Sequence, residues 1–439
     1  MKELINKLKG DKGIWSFVAL LALFSFMPVF SASSNLAYLG HGTGNTLGYL
    51  VKHFAHICIG FVIIYWVHKI PYHYFRAISK AGLPIVWVVL AYTLVKGTVI
   101  AGANASRWIQ IPFIGLSFQP STVAAIMLFI FVARYLSKTR ETPITFKSSL
   151  WELWTPVFIT LMFILPANFS TTALIFSMVI MLVFIGRYPV KYILYIMGCG
   201  IAALAFFVLL AKAFPNSSFF SRVDTWESRI ANFSHKDGDE DDYQIEKAKI
   251  AIASGQIYGL GPGKSVQKNF LPQSSSDFIY AIIVEEYGLV GGLGVLVLYL
   301  LLLFRFVVAS HKANTLFGKL VVIGLGFPMI FQAMINMCVA VELLPVTGQT
   351  LPLISSGGSS IWMTCFGLGI ILSVTKKEEE IAQEKLEKEK REEILQKLID
   401  RELEADLEEA DFKKVNENLD AGNYSIMDSS KNPMNAVLK

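Results

Sequence analysis

The chain has 439 residues, 54% of them hydrophobic and 17% charged, with a formal net charge of +5 and a mean hydropathy of +0.50. A soluble protein carries about 25% charged residues, so this composition excludes a soluble enzyme and points to a polytopic membrane protein. Residues 376–439 hold 12 basic and 18 acidic side chains against 27 and 16 in the remainder; a basic body with its charge spread among loops suits anionic lipid and phosphate-bearing substrates, and no nucleic acid is implied.

Ten apolar spans follow in order, near 14–31, 49–68, 83–101, 116–136, 151–167, 170–186, 190–213, 277–307, 317–341 and 351–374. Most are runs of about 20 residues, enough to cross roughly 30 Å of hydrocarbon as a helix. Backbone groups in lipid must be paired within the segment, so each is predicted helical. The first run could pass for a signal peptide, but the spans behind it make it a retained helix. The eighth run is longer than one crossing needs; its first part, with Glu285 and Glu286, is expected at the interface or tilted. Cys58, Cys199, Cys338 and Cys365 all fall in or beside these runs without a C-x-x-C pair, and read as small buried hydrophobes.

Orientation follows from the Lys/Arg bias of the short loops. The N-terminus holds Lys2, Lys7, Lys9 and Lys12, and the loops after spans two, four, six and eight carry Lys69, Arg76 and Lys80, then Arg134, Lys138, Arg140 and Lys147, then Arg187 and Lys191, then Lys312. Loops 32–48 and 342–350 contain no Lys or Arg. Both termini are therefore expected in the cytoplasm. The long loop 214–276 falls outside, between spans seven and eight. Residues 1–375 form the membrane domain, and 376–439 a charged cytoplasmic tail, helical through its Glu/Lys-rich part by i,i+4 pairing and disordered at its end.

Three outer stretches are more polar than packing requires: "GANASRWIQIPFIGLSFQPST" from Gly102, "GQIYGLGPGKSVQKNFLPQSSSDFIYAIIVEEYGLVGG" from Gly255, and "ELLPVTGQTLPLISSGGSSIWMT" from Glu342. Together they resemble the SEDS family (shape, elongation, division and sporulation) of peptidoglycan polymerases, over roughly residues 14–374. Arg107-Trp108-Ile109 is similar to the family's G-A-R-R-W-I, and Phe118-Gln119-Pro120-Ser121 to its F-Q-P-S-E. Leu351 to Ser360 is similar to L-P-x-x-S-Y-G-G-S-S, and Gly259 to Gly263 with Leu271-Pro272 and Asp277-Phe278-Ile279 to G-x-G-x-G … L-P-E-x-x-T-D-F-I-F. Ser265-Val266-Gln267-Lys268 is closer to the division-type S-x-Q-K than to the elongation-type G-T-Q-S. The chain departs at Thr122, Ser356, Ser276 and Gln273, and Asn168 stands for an Asp of the family's Q-P-D-x-G-T-A.

The resemblance implies a multi-pass enzyme of the bacterial cytoplasmic membrane that polymerises lipid II at the outer face for cell division, alongside a class B penicillin-binding protein and other division proteins. Its essential Asp is expected in the outer loop before Tyr243-Gln244. Within "FSHKDGDEDDYQ", Asp237, Asp239, Glu240, Asp241 and Asp242 crowd six positions. Asp239 is the first candidate base, Asp237 the second, with Asp242 behind them. One positioned carboxylate can activate a sugar hydroxyl, and an α-linked donor giving a β-linked product calls for single displacement with inversion.

The leaving undecaprenyl pyrophosphate needs cations; Arg107, Arg229, Lys264 and Lys268 are expected to supply them, with Trp108 beside Arg107. Lys96 is a charge inside span three that needs a partner or an aqueous groove, and Glu286 and Glu342 are candidates for either duty. A divalent cation, Mg²⁺ or Mn²⁺, would suit carboxylates and a pyrophosphate, although no ligand spacing demands one. His53 and His56 read as helix contacts, and the Ser355–Ser360 region as close helix packing. Two rival functions remain, a lipid II flippase, for which no internal repeat is evident, and a non-catalytic division scaffold.

Overall fold

Each apolar run satisfies its backbone by closing into a helix. The computed structural model describes residues 9–39, 46–97, 107–110, 117–140, 142–214 and 240–376, and in the tail 386, 388–404 and 413, the side chains of 35–39 and 240–242 excepted. The described part of the membrane unit contains α1 (Lys12–Leu39), α2 (Thr46–Val67), α3 (Phe75–Lys96), α4 (Pro120–Lys138), α5 (Thr155–Ile164), α6 (Phe169–Ile185), α7 (Val190–Ala213), α8 (Glu240–Gly255), α9 (Ile279–Lys312), α10 (Leu316–Ala340) and α11 (Gly358–Val374). Seven of these, α1, α2, α3, α4, α7, α9 and α10, are long and apolar enough to cross a membrane; α6 and α11 are apolar but shorter. A π-helical turn at Leu150–Trp154 leads into α5. The fold is a largely helical, polytopic membrane bundle.

Two differences from the predicted spans matter for the site. The run from 351 is not helical at its start: Leu351–Gly357 passes into the bundle as an irregular segment, and α11 begins only at Gly358. The long loop contains an amphipathic helix, α8, whose Ile245, Ala248 and Ala251 join Leu271, Phe278, Ile282, Val339 and Val346 in a small second core. The main core lies among the spans, with Tyr299, Phe306, Leu128 and Ile64 fully buried in it.

The eighth run is broken at one point, and the break has a local cause. Gly288 has φ 69° and ψ −171° inside α9, which breaks the helical ladder there. The freed backbone groups are taken by the loop that follows α8. Leu260 and Gly261 donate to the carbonyls of Glu285 and Glu286, each at 2.9 Å, while Leu289 and Val290 donate to Gln256 at 2.9 Å and Ile257 at 3.2 Å. The two backbones approach so closely that a Cβ on Gly288 would fall 2.5 Å from the Gly259 nitrogen, and one on Gly259 equally close to the Gly288 nitrogen. Gly259 is needed for this close approach of the loop to the helix.

At the opposite end of α9, Arg305 holds Asp11 through two hydrogen bonds, that from Nε at 3.1 Å. The Asp11 nitrogen donates to Thr375 Oγ1 at 3.0 Å, tying the start of α1 to the end of α11. The chain divides into a second unit after Lys376. In that unit, residues 388–404 form an exposed helix with the expected i,i+4 ties, Lys397 to Glu393 at 2.8 Å and Gln396 to Asp400 at 3.1 Å.

Candidate active site

A cavity of about 1070 Å³ opens among α2, α4, α6, α10, α11 and the segments 272–277 and 346–360. A short hairpin, β1 (Ile109–Gln110) paired antiparallel with β2 (Ser117–Phe118), carries Arg107 and Trp108 to its rim on one arm and Gln119 on the other. Arg107 donates from Nε to the Ala167 carbonyl at 2.8 Å, which fixes the guanidinium at the end of α5. Asn168 also lines the cavity, and its side chain caps α6 by accepting from the Thr171 nitrogen at 3.2 Å. Thr122, at the position of a family Glu, lines the cavity and donates its hydroxyl to the Gln119 carbonyl at 2.7 Å.

Asp277 is the one acidic side chain among the described residues that line this space. Its segment is gripped from behind. The carbonyls of three consecutive residues accept hydrogen bonds: Ser275 from the Ser356 nitrogen at 2.9 Å, Ser276 from Ser355 Oγ at 2.6 Å, and Asp277 from Asn336 Nδ2 at 2.6 Å. The same Asn336 amide donates to the Gln349 carbonyl at 2.7 Å, and Gln332, one turn earlier on α10, donates to Thr350. Tyr299 hydroxyl reaches the Pro352 carbonyl. The irregular segment 349–356 is therefore the bracket that holds the Asp277 turn, and the carbonyls of Gln349, Thr350 and Pro352 that it frees are each taken by a side chain of the bundle. Ser355, expected to serve helix packing, holds this turn.

The other predicted site residues fall into separate places. Asp237, Asp239 and Arg229 lie outside the described residues, and Asp242 sits in the first turn of α8 with its side chain outside them. Tyr243 and Gln244, which the resemblance set after the catalytic Asp, line the cavity. Lys96 is the last residue of α3 and is exposed. Glu342 pairs with Lys249 of α8 away from the cavity lining. Lys264 is exposed on the glycine-rich loop, and Lys268 donates to the Gly263 carbonyl at 2.8 Å and Ser31 Oγ at 3.2 Å.

Glu286 is 1% exposed and Glu285 fully buried. Burying a carboxylate costs several kcal/mol unless hydrogen bonds compensate. Glu285 accepts from Ser265 Oγ and from the nitrogens of Val266 at 2.9 Å and Gln267 at 3.1 Å, and Glu286 from Ser31 Oγ and the Ser265 nitrogen. Both tie the 265–268 turn to α9 and α1, and neither lines the cavity. Asp277 was legible as part of a motif, but a single carboxylate in a Ser-rich turn is a quieter signal than five in six residues. Lys52, also cavity-lining, carried no signal at all because it sits at the edge of an apolar run.

Comparison with known proteins decides the family. The family model of FtsW, RodA and SpoVE, described as "Cell cycle protein", matches residues 11–380. The chain belongs to the FtsW/RodA/SpoVE family. It is 30% identical over 365 residues to a protein of Hydrogenovibrio crunogenus named "Probable peptidoglycan glycosyltransferase FtsW", covering 82% of this chain and 90% of the relative. It is 27% identical over 361 residues to "Stage V sporulation protein E" of Bacillus subtilis, covering 81% and 94%. Among solved structures, RodA of Thermus thermophilus superposes with a TM-score of 0.60 at 23% identity, over 84% of this chain and 98% of that one. A chain from a study of how a peptidoglycan synthase complex coordinates polymerization and crosslinking superposes with a TM-score of 0.64 at 24% identity, over 83% and 97%. At these identities the superpositions establish the FtsW/RodA/SpoVE fold.

Proposed function

We propose that this FtsW/RodA/SpoVE-family chain is a peptidoglycan glycosyltransferase that polymerises lipid II, and that Asp277 is its general base. The observation that carries the assignment is the position of Asp277: an acid on the wall of a large cavity whose other described lining residues are neutral or cationic, on a turn whose backbone is held by three hydrogen bonds. Asp277 is preferred to Asp239, Asp237 and Asp242 for the grip on its turn, where three consecutive backbone carbonyls are held by Ser356, Ser355 and Asn336.

The reaction is a single displacement. A sugar hydroxyl of one lipid-linked chain attacks the anomeric carbon of another, and its proton passes to the Asp277 carboxylate. The bond from that carbon to the diphosphate oxygen breaks, and the oxygen keeps the electron pair. Positioned base catalysis of this kind contributes roughly 10²–10⁴-fold. Arg107 and Trp108 are placed to bind the sugar or phosphate portion of a substrate that reaches the hairpin. Among the described residues no group of three His, Cys, Asp or Glu side chains could hold a metal; a Mg²⁺ or Mn²⁺ ion here would draw oxygen ligands from Asp277 and from the substrate's diphosphate, its charge adding to that of Lys52 and Arg107.

The bundle is proposed to cross the bacterial cytoplasmic membrane ten times, α5, α6 and α11 completing the seven longer spans, with both termini inside and α8 outside. A class B penicillin-binding protein is the proposed partner; the peptidoglycan synthase complex that the fold resembles supports a polymerase working beside a cross-linking subunit. The test is single-turnover polymerisation of labelled lipid II by purified protein. Asp277→Asn should lower the rate by about two to four orders of magnitude with little change in binding, while Asp239→Asn and Asp237→Asn stay near wild type. If Asp277→Asn polymerises normally and Asp239→Asn does not, the base belongs to the acidic cluster. Leaflet exchange without polymer would establish a flippase.

A further inference from the structure

The N-terminus of α11 is built without side chains. Gly357 occupies the cap position at φ −170° and ψ 99°, and no side chain accepts from the first turn. Neither conformation nor crowding asks for glycine here. A φ near −170° is open to any residue, and a Cβ on Gly357 would touch only the Ser360 Cβ, at 3.6 Å. What the glycine does is leave the first-turn N–H groups, which have no partner within a helix, without a side-chain cap. Gly357, Gly358, Ser359 and Ser360 all line the large cavity. Such a helix start attracts anions through its N–H groups and its dipole.

A second feature meets it from α2. Lys52, His53 and His56 line the same cavity. The His56 imidazole lies against the helix start: a Cβ on Gly358 would come within 2.5 Å of its Cε1 and 2.8 Å of its Nδ1. His53 is 3% exposed and His56 9%. Yet among the described residues the Nδ1 atom of each has no hydrogen-bond partner. Buried polar atoms are nearly always satisfied, so two such imidazole nitrogens beside one helix start call for a polar group there. His53 keeps its other nitrogen on Ser25 Oγ, 2.8 Å away. Lys52 and Arg107 are full cations, and Asp277 is the single carboxylate among the described lining residues. A concave wall with this balance favours an anion.

We propose that the N-terminus of α11, with Lys52, His53 and His56 of α2 beside it, is the subsite that holds the diphosphate of the lipid-linked donor as it departs. The assignment rests on the glycosyltransferase reading and divides the cavity between two tasks. Ser355, two residues before Gly357, holds the Ser276 carbonyl, so the anion subsite and the Asp277 turn share one backbone bracket. The group that leaves and the group that is activated are thereby set on adjoining parts of the same wall, as a displacement needs.

The test reads binding without turnover, on the full-length protein in detergent, with geranylgeranyl diphosphate as the probe and geranylgeraniol as the phosphate-free control. Lys52→Met and Gly357→Asp, the latter placing a carboxylate over the helix start, should each weaken binding of the diphosphate by about tenfold or more. Gly357→Asp should leave thermal stability unchanged or raised, because Asp is a favoured cap; a glycine needed only for packing would instead destabilise when replaced. Asp277→Asn should bind the diphosphate as wild type does. The proposal is overturned if folded Lys52→Met binds the diphosphate normally, or if the alcohol binds wild type as tightly as the diphosphate does. Loss of diphosphate affinity in these variants of a protein that makes no polymer would keep the subsite and sink the glycosyltransferase reading; normal affinity in a protein that polymerises would do the reverse.

Discussion

Asn336 shows how much one buried amide can organise. It is 1% exposed and donates to the main-chain carbonyls of Asp277 and Gln349, so one side chain of α10 ties the turn that carries the acid to the irregular segment that braces it. Removing a partner from a buried polar group costs about 1–3 kcal/mol, and Asn336→Ala orphans two. Stability should therefore fall by roughly 2–6 kcal/mol, and turnover at saturating lipid II by tenfold or more as Asp277 loses its fixed position. Asn336→Asp keeps the size but sets carboxylate oxygens against two carbonyls, and should be worse on both counts. Unchanged turnover at saturation in a folded Asn336→Ala protein would show that Asp277 is positioned without it. No pattern in the chain foretold this role, because an Asn in an apolar span marks a polar contact without saying with what.

The glycine-rich stretch 259–263 and the break in α9 form one element, although they lie apart in the chain. Gly259 and Gly263 both have positive φ, 80° and 78°, so an alanine at either bears a similar conformational strain of about 1–2 kcal/mol. They differ in surroundings: a Cβ on Gly259 meets backbone, and one on Gly263 meets nothing within 4 Å. Gly259→Ala should thus cost several kcal/mol more than Gly263→Ala, a difference that thermal denaturation of the two variants will measure; equal losses would mean that the backbone contact is not what the glycine serves. Apolar spans were legible because lipid leaves the backbone no alternative to a helix. The break was only half legible, as excess length, since Gly288 looks like any other glycine of a membrane helix. Helix α8 escaped notice because its buried face is small, Ile245, Ala248 and Ala251, beneath a surface of charges. The acidic cluster drew attention by number, and Asp277 was found by where its turn is held.

At the scale of the whole chain, two expectations concern what lies on each side of the membrane. A cysteine placed at 240 in a cysteine-free background should be labelled by an impermeant reagent from outside the cell; labelling only after the cytoplasm is opened would invert the orientation. The tail should be dispensable for chemistry, but the place to cut matters, because Thr375 accepts from the Asp11 nitrogen and Lys376 Nζ reaches the Lys69 carbonyl at 3.5 Å. A stop after Lys376 should keep polymerisation in detergent near the wild-type rate, and a folded truncated protein that makes no polymer would contradict this. The bracket around Asp277 also has a timing. Ser355 and Ser276 are 79 residues apart, and α9 and α10 lie between them, so a ribosome finishes both helices before it supplies the residues that lock the turn. A nascent chain carries the acid, the hairpin and most of the cavity while still unable to hold them in register. The bracket closes only once the segment before α11 is made, so under the proposed role of Asp277 a polypeptide released earlier would be inert and not active in the wrong place.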